Sequence, residues 1–258
     1  MLNARTIGAA LVAALALHAG AAMAEIKKQW VDYADGATKL KAYMVYDDAT
    51  SGKRPAVLMI HAREGMTDVT MKHAEEWAKM GYVVFAEDVF GYGEGVLPKT
   101  VEEMEAQTTI YSKDRPKARA RAKAGYDEML KQPMVDAGKV AVVGFCFGGD
   151  LGTEFVSTGV PVLANITIHG SFRDREPGWG KDVKARFLIL HGAEDKGYPM
   201  AKVQKVVDEL TADKKQFLLE LYSGTAHGFS SPKNKDEERA YSQAVATSAR
   251  NLKELFGQ

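Results

Sequence analysis

The chain has 258 residues, 46% of them hydrophobic, which is enough for one large α/β domain or two small ones. Lys plus Arg and Asp plus Glu are balanced at 34 each, so we expect no nucleic-acid partner and no strongly charged surface as partner. Cys146 is the single cysteine, which excludes an intramolecular disulfide and a metal site built from several cysteines.

The first 24 residues are typical of a secretory signal peptide. A positively charged start precedes an apolar run over residues 7–22, and the small residues Ala22 and Ala24 mark a cleavage site before Glu25. The alternative is an uncleaved membrane anchor, but the apolar run is short for a spanning helix. We therefore expect cleavage and a mature chain, 25–258, with no membrane contact, which lies in the periplasm if the host is bacterial.

Apolar runs, capping residues and glycine breaks predict strands and helices that alternate along most of the chain. Strands are expected at 26–48 (antiparallel edge strands), 55–61, 82–86, 140–143, 163–169, 185–191 and 217–222. Helices are expected at 69–80, 99–111, 116–131, 200–210 and 236–256, and directly after residue 146. This alternation predicts the α/β class, with a mostly parallel central sheet, helices on both faces and one domain.

The stretch Gly144-Phe145-Cys146-Phe147-Gly148 follows the strand at 140–143. A Gly-x-Cys-x-Gly pattern between a strand and a helix predicts a nucleophile elbow, with cysteine in place of serine. Glycine is needed there because the turn is strained and side chains would collide with neighbouring backbone. The alternative is that Cys146 is simply a small buried apolar residue.

Two later strand ends carry the residues that could activate this thiol. Asp195 follows the strand at 185–191, and His227 follows the strand at 217–222. Nucleophile, acid and histidine in that chain order match the triads of α/β-hydrolases. We therefore expect His227 to move the proton and Asp195 to orient its ring, with Glu194 as the rival acid.

The remaining site predictions concern backbone donors and aromatic side chains. The N–H groups of Phe147 and Arg63 are expected to form the oxyanion hole. Aromatic residues near strand ends are expected to line an apolar substrate pocket, with simple core packing as the alternative: Phe90, Tyr92, Phe145, Phe147, Tyr198 and Phe229.

Three further histidines end predicted strands: His61, His169 and His191. We expect structural roles for them. A metal site built from them is the alternative, although no spacing supports it. No metal and no cofactor is expected to take part in the reaction.

Several motifs together resemble the dienelactone hydrolase family of α/β-hydrolases, from about residue 40 to residue 256. They are the runs at 54–61, 81–88, 144–149, 168–170, 191–195 and 226–229. The resemblance implies Cys146, Asp195 and His227 as the triad. It also implies hydrolysis of an ester or lactone through a thioester acyl-enzyme.

The sequence departs from the family pattern at two places. Ala62 stands where the family has a glutamate that helps to activate the cysteine, so Glu64 is a candidate for tuning the thiolate, and Arg63 an electrostatic alternative. Tyr92 and Ser231 stand where dienelactone hydrolases carry arginines that hold the substrate carboxylate. The family's own substrate is therefore an unsafe assignment.

The sequence predicts a hydrolase of small esters or lactones, with a small-molecule substrate as its partner and the oligomeric state left open. One alternative is acyl transfer to an alcohol or amine on the same triad. Another is a binding or sensing module that kept the fold and lost turnover. Redox sensing through Cys146 would lack a resolving cysteine.

Overall fold

The computed structural model describes residues 25–49 and 51–258, so the expected signal peptide lies outside the described residues. The strands of this part of the chain are β1 (Ile26–Asp35), β2 (Thr38–Asp47), β3 (Arg54–Ile60), β4 (Val83–Glu87), β5 (Val135–Phe145), β6 (Ala164–Ile168), β7 (Arg186–Gly192) and β8 (Phe217–Tyr222). The α-helices are α1 (Asp68–Ala78), α2 (Val101–Lys113), α3 (Arg115–Leu130), α4 (Phe147–Val156), α5 (Met200–Ala212) and α6 (Lys235–Phe256).

One sheet contains all of these strands, in the order β1-β2-β4-β3-β5-β6-β7-β8. β1 pairs with β2 and β2 with β4 in antiparallel fashion, and every other neighbouring pair is parallel. The predicted α/β class with a mostly parallel sheet is therefore confirmed. The carboxyl ends of the parallel strands meet at one edge of the sheet, which is where sites form in such folds.

The sheet separates two layers of buried apolar side chains. Along β3, Ala56, Leu58 and Ile60 pack with residues of α2, α3, α4 and α5. The alternate residues Val57 and Met59 pack with residues of α1 and α6. Helices cover both faces, as predicted, which is why the central strands read as continuous apolar runs.

Two details differ from the expected elements. β2 is not an edge strand, because β1 occupies the edge and β2 lies between β1 and β4. β5 begins at Val135, before the expected residue 140, because an irregularity lets β3 pair with two separate parts of it. Within residues 25–49 and 51–258, no helix combines the length and apolar character that crossing a membrane requires.

Candidate active site

Cys146 occupies a strained turn between β5 and α4, with φ 50° and ψ −117°. A Cβ atom added to Gly144 would lie 2.2 Å from the carbonyl oxygen of Gly148. One added to Gly148 would lie 2.3 Å from the carbonyl oxygen of Ile60. Both positions therefore require glycine, for the steric reason that the sequence pattern predicted, and the turn places the thiol at the carboxyl edge of the sheet.

The thiol belongs to a continuous chain of three side chains. His227 Nε2 lies 3.0 Å from Cys146 Sγ, and His227 Nδ1 lies 2.7 Å from Asp195 Oδ2. The other oxygen of Asp195 accepts the backbone N–H groups of Gly197 and Tyr198, each at 2.9 Å. Asp195 is thus fixed before it contacts the ring, and it orients His227 with Nε2 toward the sulfur.

The rival acid Glu194 points elsewhere. Its side chain is exposed, whereas Asp195 is buried beside His227. Because Asp195 is the acid in contact with the imidazole, the structure brings together the three residues that the sequence selected.

The three groups shift one another's acidity. Burial raises the pKa of Asp195, but the His227 hydrogen bond and the backbone donor outweigh it, so the pKa lies below its ordinary value. Burial lowers the pKa of His227, but its bonds to Asp195 and Cys146 raise it to about 9. Burial raises the pKa of the Cys146 thiol, but the bond to His227 and the charge of its ring hold that pKa below the ordinary value. Both shifts act in the same direction, since each stabilises a thiolate beside an imidazolium.

Ser171 is a contact of the sulfur that the sequence reasoning missed. Its Oγ lies 3.4 Å from Cys146 Sγ, and its N–H donates to the Cys146 carbonyl at 2.9 Å. The hydroxyl bond also lowers the pKa of the thiol, after the effects of burial and of His227. Ser171 lies just after β6, the strand beside the one that carries Cys146, and no motif in the sequence marks this contact.

Glu64 does not replace the family glutamate by direct contact. Among the described residues, the hydrogen-bond partners of Cys146 Sγ are His227 and Ser171. The carboxylate of Glu64 instead lies 3.3 Å from Arg63 Nε, and both side chains are 45% exposed. The charge of Glu64 raises the pKa of the thiol, so it opposes the thiolate.

The two expected oxyanion donors border the same space as the thiol. Phe147 is the first residue of α4, so its N–H is among the four at that end without an acceptor inside the helix. Arg63 lies in the loop after β3, and both residues line a cavity with Cys146. Their role as donors to a reacting oxygen stays a prediction.

This cavity has a volume of about 660 Å³, within the usual range for small-molecule sites. Phe145, Phe147 and Tyr198 line it, as expected for pocket aromatics. Basic and acidic side chains also line it: Arg63, Arg173, Lys233, Glu64 and Glu105.

Three other expected pocket residues lie outside this lining. Phe90 packs against the rings of His61 and Phe147, with centroids 4.7 and 5.5 Å away. Tyr92 stacks on Trp30 at 5.2 Å. Phe229 is fully buried in the core. Each of these rings packs against at least one other aromatic ring.

His61 and His191 have backbone partners that fit structural roles. His61 Nε2 accepts the N–H of Val89 at 3.2 Å, so its Nδ1 carries the proton and donates to the Ala62 carbonyl at 2.7 Å. His191 Nε2 lies 2.9 Å from the carbonyl of Tyr198 and donates to it. These bonds fix the loops after β3 and β7.

His169 is different, because it lines the cavity beside the thiol. It has a positive φ of 44°, and its Nε2 lies 2.8 Å from Ser230 Oγ. Burial, together with the charge of His227, lowers the pKa of His169 well below its ordinary value, so the ring is neutral.

A mostly parallel sheet and a Gly-x-Cys-x-Gly turn that lies beside an acid–histidine pair are typical of an α/β-hydrolase. The model of the dienelactone hydrolase family matches residues 40–258. The chain therefore belongs to the dienelactone hydrolase family and is a hydrolase.

Known proteins resemble the chain over most of its length. A Synechocystis sp. protein, named provisionally as a carboxymethylenebutenolidase, is 26% identical over 80% of this chain and 86% of its own. A carboxymethylenebutenolidase homolog from Mus musculus is 23% identical over 85% and 87%. The solved structure of a dienelactone hydrolase-like promiscuous phosphotriesterase from metagenomic libraries has a TM-score of 0.83 and 28% identity, covering 89% of this chain and 98% of its own.

Proposed function

We propose that the chain hydrolyses small esters or lactones, with Cys146 as the nucleophile. The observation that carries this proposal is the unbroken chain from Asp195 through His227 to the sulfur, at 2.7 and 3.0 Å. Neutral cysteine is a weak nucleophile, whereas a thiolate beside an imidazolium attacks activated acyl groups readily.

The cycle has two halves. The Cys146 thiolate attacks the acyl carbon, and the resulting oxyanion accepts the N–H groups of Phe147 and Arg63. Collapse expels the alcohol, which takes its proton from His227 Nε2, and leaves a thioester on the sulfur. His227 then removes a proton from water as the water attacks the thioester, and release of the acid restores the thiolate–imidazolium pair.

An assay of p-nitrophenyl acetate with the mature chain and with Cys146→Ala tests the nucleophile. We expect the variant to lose about 10³-fold or more in kcat/KM, since removal of a nucleophile leaves only binding and oxyanion stabilisation. Mass spectrometry of the quenched reaction should show the acetyl group on the peptide that contains Cys146. Equal rates for the two proteins would overturn the proposal.

The same experiment separates the alternatives. Acyl transfer would appear as an acylated acceptor when an alcohol or amine is added, in proportion to its concentration. A binding or sensing module would show no turnover, and its thiol would react with iodoacetamide no faster than free cysteine near neutral pH.

A second candidate is hydrolysis of phosphotriesters, for which the similarity to the metagenomic phosphotriesterase is the reason. Attack of Cys146 Sγ on phosphorus would release the alcohol and leave a phosphorylated cysteine. A p-nitrophenyl phosphotriester assayed beside the acetate ester, with Cys146→Ala as control, decides this candidate.

We also propose that the mature chain acts outside the cytoplasm, supported by the apolar run and the small residues Ala22 and Ala24. Amino-terminal sequencing of the protein from the periplasmic fraction should begin at Glu25. Recovery of an intact Met1 in the cytoplasm would contradict export.

A further inference from the structure

The fold assembles three metal-ligating side chains that no spacing in the sequence brings together. The Sγ atom of Cys146 and one ring nitrogen from each of His169 and His227 lie within 4.8 Å of one another. Thiolate and imidazole are the ligands that Zn²⁺ and related borderline-soft cations prefer. The three residues come from the ends of β5, β6 and β8, so only the parallel sheet makes them neighbours.

His227 has the surroundings of a metal ligand. Its Nδ1 lies 2.7 Å from Asp195 Oδ2, which leaves Nε2 as the nitrogen that faces the sulfur. Metal-binding histidines usually donate their other ring N–H to a carboxylate, which fixes the ring and strengthens the ligand. Asp195 occupies that outer position.

His169 contributes a nitrogen that the hydrolytic cycle does not use. Its Nε2 lies 2.8 Å from Ser230 Oγ, whereas its Nδ1 is buried and has no hydrogen-bond partner within residues 25–49 and 51–258. A buried polar atom without a partner is costly and unusual in a folded protein. Ligation of a cation through Nδ1 would give this atom a partner.

We propose that Cys146, His169 and His227 form a three-ligand site for a borderline-soft divalent cation such as Zn²⁺. Tetrahedral bonds of about 2.3 Å to sulfur and 2.1 Å to nitrogen place ligand atoms about 3.5 Å apart. The present distances are 3.0 Å between Cys146 Sγ and His227 Nε2 and at most 4.8 Å between the other pairs. The fourth position opens into the cavity that all three residues line, where water completes the coordination. The proton held between Cys146 Sγ and His227 Nε2 leaves to solvent as both atoms bind the metal.

Occupancy blocks ester hydrolysis, because the cation takes the sulfur lone pair and the nitrogen that transfers protons. This inhibition rests on the proposed function, but cation binding does not. A cation bound at this site therefore inhibits the hydrolase reversibly. His169 is the ligand that the hydrolytic cycle does not use.

Cobalt titration of the chelator-treated mature protein tests the site without reference to activity. Co²⁺ bound to a thiolate gives an intense near-ultraviolet charge-transfer band, which we expect at one equivalent and which Zn²⁺ should displace. Cys146→Ser should lose the band. His169→Gln should weaken the affinity for Zn²⁺ about tenfold or more.

The matched control is His73→Gln, since His73 also lines the cavity, is buried and contacts Ser230, but lies outside the cluster. It should keep the affinity of the wild type for Zn²⁺. Circular dichroism checks that each variant is folded, and if His169→Gln fails that check, the Cys146→Ser titration still decides. The absence of a thiolate band at millimolar Co²⁺, or an unchanged affinity in folded His169→Gln, would overturn the proposal.

The esterase assay keeps the two proposals separate. A protein that hydrolyses p-nitrophenyl acetate but gives no band refutes the cation site alone. A protein that binds Co²⁺ through its thiolate but shows no turnover refutes the proposed function alone.

Discussion

Asp195 and Glu87 both carry buried carboxyl groups near the C-terminal ends of parallel strands, yet their pKa values are shifted in opposite directions. Asp195 accepts hydrogen bonds from His227 and from two backbone N–H groups, and its pKa lies below the ordinary value. Neither oxygen of Glu87 has a hydrogen-bond partner among the described residues, and burial raises its pKa well above the ordinary value. The hydrogen-bond donors around a buried acid, together with its depth, decide whether it is ionised.

The surroundings of Glu87 explain why it is left neutral. The positive charge of Arg121 lowers its pKa in part, but that guanidinium is bonded to Asp35 at 2.9 Å, and Asp88 raises the pKa again. The backbone of Gly125 packs against the carboxyl group. Glu87 is a packing residue that carries a proton, whereas Asp195 is a fixed anion that holds a histidine.

The largest expected effect comes from removing the charge of Asp195. Asp195→Asn should lower kcat for p-nitrophenyl acetate by about 10³- to 10⁴-fold, because an amide holds His227 in the wrong tautomer. The matched control, Glu194→Gln, changes the adjoining exposed acid and should stay within a few-fold of the wild type. An Asp195→Asn enzyme within tenfold of the wild type would remove Asp195 from the triad.

Gly125→Ala tests how tightly Glu87 is packed. A Cβ atom at this position would lie 2.1 Å from Glu87 Oε2 and 2.9 Å from Glu87 Cβ. We expect a loss of about 1–3 kcal/mol in the free energy of unfolding, typical of overpacking, measured by denaturant titration. Gly138→Ala, at an exposed glycine whose added Cβ would make only an ordinary contact, should change stability far less.

Glu87→Gln tests the protonation of that carboxyl group. In the unfolded chain the group loses its proton near pH 4.5, whereas the folded chain keeps it to higher pH. Unfolding therefore releases a proton in that window, and stability falls as pH rises by up to about 1.4 kcal/mol per unit. Glutamine removes this slope, so the variant should gain stability over the wild type as the pH increases above 4.5.

Unfolding free energies at several pH values check this expectation, with the exposed Glu176→Gln as the control. Parallel stability curves for the wild type and Glu87→Gln would show that Glu87 is ionised in the folded protein. In that case the contrast with Asp195 would fail.

Ser171→Ala gives the smallest expected effect. Loss of one hydroxyl donor should raise the pKa of the thiol and slow its alkylation by iodoacetamide near neutral pH about two- to tenfold. Rates measured against pH in chelator-containing buffer separate a shift in pKa from a loss of packing. Ser231→Ala, at another serine of the cavity lining, should leave the profile unchanged.

The sequence was sufficient to predict the elbow and its partners Asp195 and His227, because each lies in a short motif at the end of an apolar strand. Parallel strands bring such ends to one edge, so chain order alone placed Cys146, Asp195 and His227 together. The alternation of strands and helices along the chain likewise predicted the helix layers on both faces of the sheet.

The pocket aromatics could not be assigned in this way. Whether Phe90 or Tyr92 faces the cavity depends on the ring beside it, His61 in one case and Trp30 in the other. Ser171 was hidden because its contact with the sulfur depends on β5 and β6 being adjacent and carries no motif. The closeness of a His169 ring nitrogen to the sulfur also depends on the adjacency of these strands, so the sequence did not predict it.

Cys146 and the histidine that contacts its sulfur lie far apart along the chain. His227 lies 81 residues beyond Cys146, on the loop after β8. Until β8 joins the sheet, the sulfur lacks its base and the thiol keeps the modest reactivity of an ordinary cysteine. Synthesis must therefore pass residue 227 before the imidazole that contacts the sulfur exists, and a shorter growing chain carries Cys146 without that contact.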